Sequence, residues 1–156
     1  MNEIPTHYYK NQWYKDIGFN IEPLDDVFNN VGEKLFKPHQ LDFHQFLFIT
    51  DGKGQHEVDF NTINLEENTI IPLVIGQVQS YVKYQNLKGF VVVFTSDFIL
   101  QNEINLRYLF NYSIFNTIVK PFDFKCDNDV IQLVQLLFET FVNNHGFARE
   151  ELMRNY

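Results

Sequence analysis

Apolar and polar positions alternate most clearly between Asp42 and Thr95, in short runs parted by turn residues. Asp42–Thr50 (DFHQFLFIT) puts Phe43, Gln45, Leu47 and Ile49 on one face and His44, Phe46 and Phe48 on the other. A strand with apolar residues on both faces must be covered on both, so this run predicts an interior on one side and a second layer on the other. Asp51-Gly52-Lys53-Gly54 reads as a tight hairpin turn, because glycine supplies the positive φ that such turns need. Gln55–Phe60 alternates again, with His56, Val58 and Phe60 on a shared face. A turn over Leu65–Asn68 leads into Thr69–Ile75, a run of buried type, and Gly76-Gln77 turns the chain once more. In Ser80–Gln85, Tyr81 and Lys83 share a face, and Gly89–Thr95 (GFVVVFT) is the strongest strand-forming run of all. Short strands with turn signals every 8–12 residues or so indicate an all-β sandwich or barrel.

The flanks read differently. Residues 1–18 have no clean period but gather Tyr8, Tyr9, Trp13 and Tyr14. Such an arm covers an edge of the barrel or folds over a bound ligand, and the sequence leaves both open. Phe19–Val27 reads as a first strand interrupted by Pro23, which suits an edge or a bulge. FNNVGEKLFKP, residues 28–38, reads as a loop or short hairpin. Ser96-Asp97 is a helix cap that opens a short helix or turn. Residues 104–115 carry a weak helical spacing, and 116–121 (NTIVKP) read as one more short strand. The best helix is 127–144, with Asp127 and Asp129 at its positive end and Gly146 as its stop. A second helix starts at Phe147, where Glu150 and Arg154 are spaced to pair. Val130, Val134, Leu137, Phe138 and Phe141 belong to an apolar surface wider than one packing face needs. A partner subunit is the simplest cover for the surplus, and burial of both faces within one subunit is the alternative.

Composition narrows the picture. At 156 residues the chain is one domain with appendages: an arm (1–18), a β-barrel (19–122) and a helical segment (123–156). Aromatic residues make up 17% of it, with 17 Phe and 8 Tyr, which suits strands around a wide apolar interior. Twelve basic against 20 acidic residues leave a net charge of −8, the wrong sign for holding a phosphate backbone. Cys126 is the single cysteine and reads as a reduced thiol. The sequence contains neither an 18-residue apolar run nor a secretory leader pattern at its start, so a cytoplasmic protein is expected.

The run HQLDFHQFLFITDGKGQHEVDF…LEENTIIPLVIGQVQSY…GFVVVFTSDFI resembles the N-terminal effector-sensing domain of AraC-family transcriptional regulators. The likeness covers residues 20–100 or so. It implies a mainly β fold, a cupin-like (double-stranded β-helix or jelly-roll) barrel followed by C-terminal α-helices. In that family the helices form a dimerisation hairpin, and a separate helix-turn-helix domain binds DNA. The resemblance therefore implies a bacterial homodimer formed through 127–144, and a longer protein whose DNA-binding domain is absent from these residues.

Metal-binding cupins use His-x-His, a carboxylate four residues on and a later His. Here His39, Leu41, Gln45 and Gln79 stand at those positions, so three of four ligands are missing. No metal, no cofactor and no catalysis are expected, and His44 and His56 read as surface or packing residues. The candidate small-molecule site comprises His39, Phe43, Gln45, Leu47, Val58, Gln79, Tyr81 and Lys83, with Ile49 in the wall. His39 and Lys83 would suit a carboxylate or hydroxyl-bearing ligand. Two alternatives stay open: an interior filled by its own side chains, and a stand-alone cupin that binds a sugar or acts as an isomerase-type enzyme.

Overall fold

Two long strands form the frame. A computed structural model of the chain describes residues 3–8, 18–101, 124–125 and 127–154, with the backbone alone at 124, 125, 141 and 144–154. Strand β4, His44–Val58, pairs antiparallel with β7, Gln79–Phe94, from His44 opposite Phe94 to Val58 opposite Gln79. Strand β2 (Phe19–Pro23) extends the sheet beyond β7. On the other edge of β4 lie β6 (Thr69–Leu73) and, at its far end, β5 (Asn61–Leu65). A short β8 (Phe124–Lys125) closes that side against β6. Two further short strands, β1 (Thr6–His7) and β3 (Gln40–Leu41), pair in parallel beside this sheet.

The expected hairpin at Asp51–Gly54 does not form, and β4 runs straight through it. Gly52 does adopt a positive φ of 86°, but its role is close approach. A Cβ there would overlap the carbonyl of Asn86 on β7, and the β4–β7 register slips on both sides of Asp51. The glycine thus serves a bulge that bends a continuous strand. Gly89 plays the matching part on β7, where a Cβ would overlap the carbonyl oxygen of Phe48. For the same reason 80–85 and 89–95 are one strand, not two. The reversal comes later, at Asp59–Phe60, where both residues have positive φ (45° and 65°) as a two-residue hairpin requires. Asp59 is held there by its side chain, which accepts hydrogen bonds from the Val78 N–H at 3.0 Å and Gln77 Nε2 at 3.1 Å. Phe60 therefore points into solvent and does not share the buried face of His56 and Val58.

A second departure follows Pro23. The first strand stops there, and helix α1 (Leu24–Val31) begins with Pro23 at its cap and Asp25 and Asp26 in its first turn. Leu24, Val27, Phe28 and Val31 recur at helical spacing and pack on the inner core. Gly32, at φ 64°, ends the helix and opens a 3₁₀ turn over Gly32–Phe36. The reading of 24–38 as strand and loop missed this period.

The double apolar character of β4 has the expected cause. Leu47 and Ile49 face an inner core with Leu35, Ile71, Leu73 and Val91. Phe46 and Phe48 face an outer layer with Ile21, Val92, Val134 and Phe138. Helix α2 (Ser96–Gln101) is capped by Thr95, one residue before the expected Ser96-Asp97, since the Phe98 N–H donates to Thr95 Oγ1 at 3.1 Å. Helix α3 is continuous from Asn128 to Arg154, so Gly146 does not stop it and no second helix starts at 147. A glycine inside a helix costs about 1 kcal/mol, which the rest of a long helix outweighs. The expectations at 104–121, Cys126 and residues 9–17 lie outside the described residues, as do the side chains of Phe141, Glu150 and Arg154.

Candidate functional site

The inner face of the sheet is not filled. Between β2, β4, β7, α1 and the 3₁₀ turn lies a cavity of about 250 Å³. That is just below the usual range of about 300–1,000 Å³, so it suits a compact metabolite. Its walls include Val27, Val31, Leu35, Leu41, Leu47, Val91 and Val93. His7 and Tyr8, from the N-terminal segment, stand at its edge. The β1–β3 pairing places them there, and the His7 ring stacks on His39 with centroids 4.7 Å apart.

Six of the eight candidate ligand residues meet in this cavity: His39, Phe43, Gln45, Leu47, Gln79 and Tyr81. Val58 does not line it, because it is fully enclosed in the core further along β4. Lys83 points out of the barrel into a broad surface concavity that it shares with Lys53, Glu66, Glu67 and Tyr84. The reason is a bulge at Val82. His56 lies opposite Tyr81 and Gln55 opposite Lys83, so two steps along β7 match one along β4. Simple alternation from Tyr81 carries Lys83 to the wrong side of that irregularity.

The polar centre is Gln79. Its backbone exchanges hydrogen bonds with His39, the Gln79 N–H donating at 2.8 Å and the His39 N–H at 3.0 Å. Its side-chain oxygen accepts from Gln45 Nε2 at 3.2 Å and from His56 Nε2 at 3.0 Å. His56 is completely buried, and its ring meets Tyr81 edge-on at 4.4 Å. Burial pushes its pKa down to about 4, so the ring is neutral at neutral pH. Burial likewise raises the Tyr81 hydroxyl above its ordinary range and keeps it a donor. His39 gives its Nδ1 proton to the Lys37 carbonyl at 2.8 Å. Burial lowers its pKa too, and the neutral ring then presents Nε2 as an acceptor.

The four positions that hold metal in metal-binding cupins do converge here, but their chemistry does not fit a transition ion. They offer one imidazole, two amides bonded to each other and an aliphatic chain. Among the described residues no group of three His, Cys, Asp or Glu could hold a metal ion.

Several lining residues lie outside the expected site, and two of them are polar residues of β2. Asn20 and Glu22 project from β2 into the cavity, while Phe19 and Ile21, on its opposite face, pack in the outer layer. Polar residues that alternate with apolar ones are ordinarily assigned to solvent. Here the polar face looks into a hollow interior. Asn20 Nδ2 donates to Glu22 Oε1. Burial, and secondarily the charge of Asp26, raise the Glu22 carboxyl, and the Asn20 bond opposes them.

The dimer candidates divide. Val134 is buried on the sheet, and Phe138 packs on Phe90 with ring centroids 5.3 Å apart, so both face their own subunit. Val130 and Leu137 are exposed, together with Leu133 and Leu136, which the reading had not singled out for the interface.

A profile for the AraC-like ligand binding domain matches residues 28–153. No curated protein sequence matches the chain. Among solved structures, ToxT from Vibrio cholerae O395 bound to (E)-4-(8-methylnaphthalen-1-yl)but-3-enoic acid is 13% identical, with a TM-score of 0.45 over 85% of this chain and 55% of that one. A second ToxT structure from Vibrio cholerae is 11% identical, with a TM-score of 0.43 over 77% and 46% of the two chains. Vicilin from Solanum lycopersicum (tomato) is 15% identical, with a TM-score of 0.32 over 66% of this chain and 38% of that one. The chain thus spans about half the length of the ToxT chains.

Proposed function

This chain belongs to the AraC-like ligand binding domain family, and on that premise we propose that its cavity takes a small-molecule effector and reports it to a transcription regulator. One observation carries the reading. The cavity is lined by polar groups that the fold has oriented but not satisfied. Gln79 Oε1 is occupied by Gln45 and His56, while Gln45 Oε1 and Gln79 Nε2 have no partner among the described residues. An acceptor and a donor of fixed polarity inside an apolar hollow are what a recognition site needs.

In this reading the domain binds without catalysing, because three of the four cupin metal positions hold amides and an aliphatic chain. Dimerisation would use the exposed stripe of α3, where Leu133, Leu136 and Leu137 are 65%, 58% and 45% accessible. A net charge of −8 makes the domain a poor DNA ligand, so DNA contact belongs to a separate basic domain. Among the described residues no helix is long and apolar enough to cross a membrane, and the proposed site of action is the cytoplasm.

The test is a metabolite library screened by thermal shift, with hits titrated by calorimetry. A true effector loses about tenfold or more in affinity for Gln45→Ala/Gln79→Ala, since each lost hydrogen bond is worth roughly 0.5–1.5 kcal/mol. Unchanged affinity in the double variant would show that ligands bind elsewhere.

A further inference from the structure

The charge and lone pairs inside the cavity constrain what it can hold, provided the ligand-binding reading above is correct. Among the described lining residues there is no Lys or Arg, and Glu22 is the one carboxylate. Glu22 takes one hydrogen bond, from Asn20 to Oε1, while Oε2 has neither a hydrogen bond nor an ion pair among the described residues. Two more acceptors join it. His39 shows its Nε2 lone pair because its Nδ1 proton is committed to Lys37, and Gln45 shows Oε1 because its amide nitrogen is committed to Gln79. Tyr8, Phe43 and Tyr81 add aromatic rings to the same walls.

An anion placed here would meet a carboxylate and lone pairs, with the imidazoles of His7 and His39 but no Lys or Arg among the described lining residues to balance it. A neutral polyol could use the hydrogen bonds but would leave the half-buried Glu22 charge without a counter-ion, which costs more than pairing it. A cation matches the acceptors: the carboxylate pairs with it, the lone pairs accept its N–H groups, and the rings present their negative faces, which leaves Gln79 Nε2 as the one free amide donor it does not use. We propose that the effector of this cavity is a small organic cation, a protonated amine with a compact apolar body, held by Glu22. The raised carboxyl of Glu22 fits this assignment, because it marks a charge that burial penalises and that a bound cation would relieve. The expectation of a carboxylate or hydroxyl-bearing ligand rested on His39 and Lys83; Lys83 faces the outer concavity, and His39 alone presents a lone pair, so the carboxylate part loses its cation.

The experiment titrates three near-isosteric probes by calorimetry at neutral pH: 2-phenylethylamine, 2-phenylethanol and phenylacetate. On the wild-type chain the amine is expected to bind about tenfold or more tightly than the alcohol, with phenylacetate weakest. Glu22→Gln, which keeps shape and folding, should bring the amine down to the alcohol's affinity and leave the alcohol unchanged. Equal or tighter binding of phenylacetate or the alcohol overturns the proposal, as does an amine affinity that ignores Glu22→Gln. If one of those probes binds and a cavity-filling Val93→Phe blocks it, ligand binding in the cavity survives and only the cation assignment falls. If none of the three binds at millimolar concentration the cation assignment falls, and if the library also yields no hit, ligand binding falls with it.

Discussion

Acid should unfold this domain partly through one buried ring. His56 has no exposed surface, donates from Nε2 to Gln79, and leaves Nδ1 buried without a partner among the described residues. A second proton would have to enter at Nδ1, in an apolar surround. Its pKa accordingly falls from 6.5 to about 4. Because the folded pKa lies below the unfolded one, the unfolded chain binds more protons between those values. The contribution of His56 is therefore complete above pH 6.5 and is lost as the pH falls toward 4. The full span corresponds to about 3 kcal/mol at about 1.4 kcal/mol per pH unit, a sizeable part of the 5–15 kcal/mol or so that holds an ordinary domain folded. Burial lowers His39 and His44 as well, with the same sign. Glu22, raised by burial, acts in the opposite sense, taking its proton first in the folded state as pH falls. Comparison with His56→Gln isolates one ring, since the amide can still donate to Gln79 but cannot titrate. Urea unfolding at pH 7 and pH 4.5 should show the wild type losing roughly 2 kcal/mol more than the variant. Parallel losses would refute the reasoning, because they would mean that His56 meets protons as freely folded as unfolded.

Other consequences are more local. Gly89→Ala should destabilise by about 3 kcal/mol or more in urea unfolding, because its Cβ would overlap the Phe48 carbonyl oxygen across the central strand pair. Leu133→Asp/Leu137→Asp should convert a dimer to a folded monomer in light scattering, both side chains being exposed on α3, and a monomeric wild type at micromolar concentration would end the dimer proposal. Lys88→Ala should change stability by less than about 1 kcal/mol, since its 2.5 Å ion pair with Asp25 is about half accessible on both sides and strongly screened.

Strand placement and the covering of β4 on both faces were legible because period-two alternation survives wherever one face is buried. His39, Gln45 and Gln79 were legible as a group because the resemblance assigns them positions that the fold does bring together. The misplaced turn and the misplaced Lys83 share a cause. Gly52, Val82 and Gly89 act through backbone approach between β4 and β7, a property of two strands that neither displays alone. The glycine at 52 therefore looked like a turn, and Lys83 beyond the bulge looked inward. Asn20 and Glu22 were missed because an interior that is hollow rewards polar residues where a filled one would reject them. Helix α1 was hidden by Pro23, which reads as a strand interruption but equally opens a helix.

The central claim is that recognition happens inside the barrel, around the Gln45–Gln79–His56 chain. Amide and side-chain NMR shifts during titration with the strongest library hit test it most directly. The account predicts that the largest changes fall on Asn20, Glu22, Gln45, Gln79 and Tyr81. Changes confined to the α3 stripe at Leu133 and Leu136, or to the outer concavity at Lys83 and Tyr84, with the interior unmoved, would contradict it.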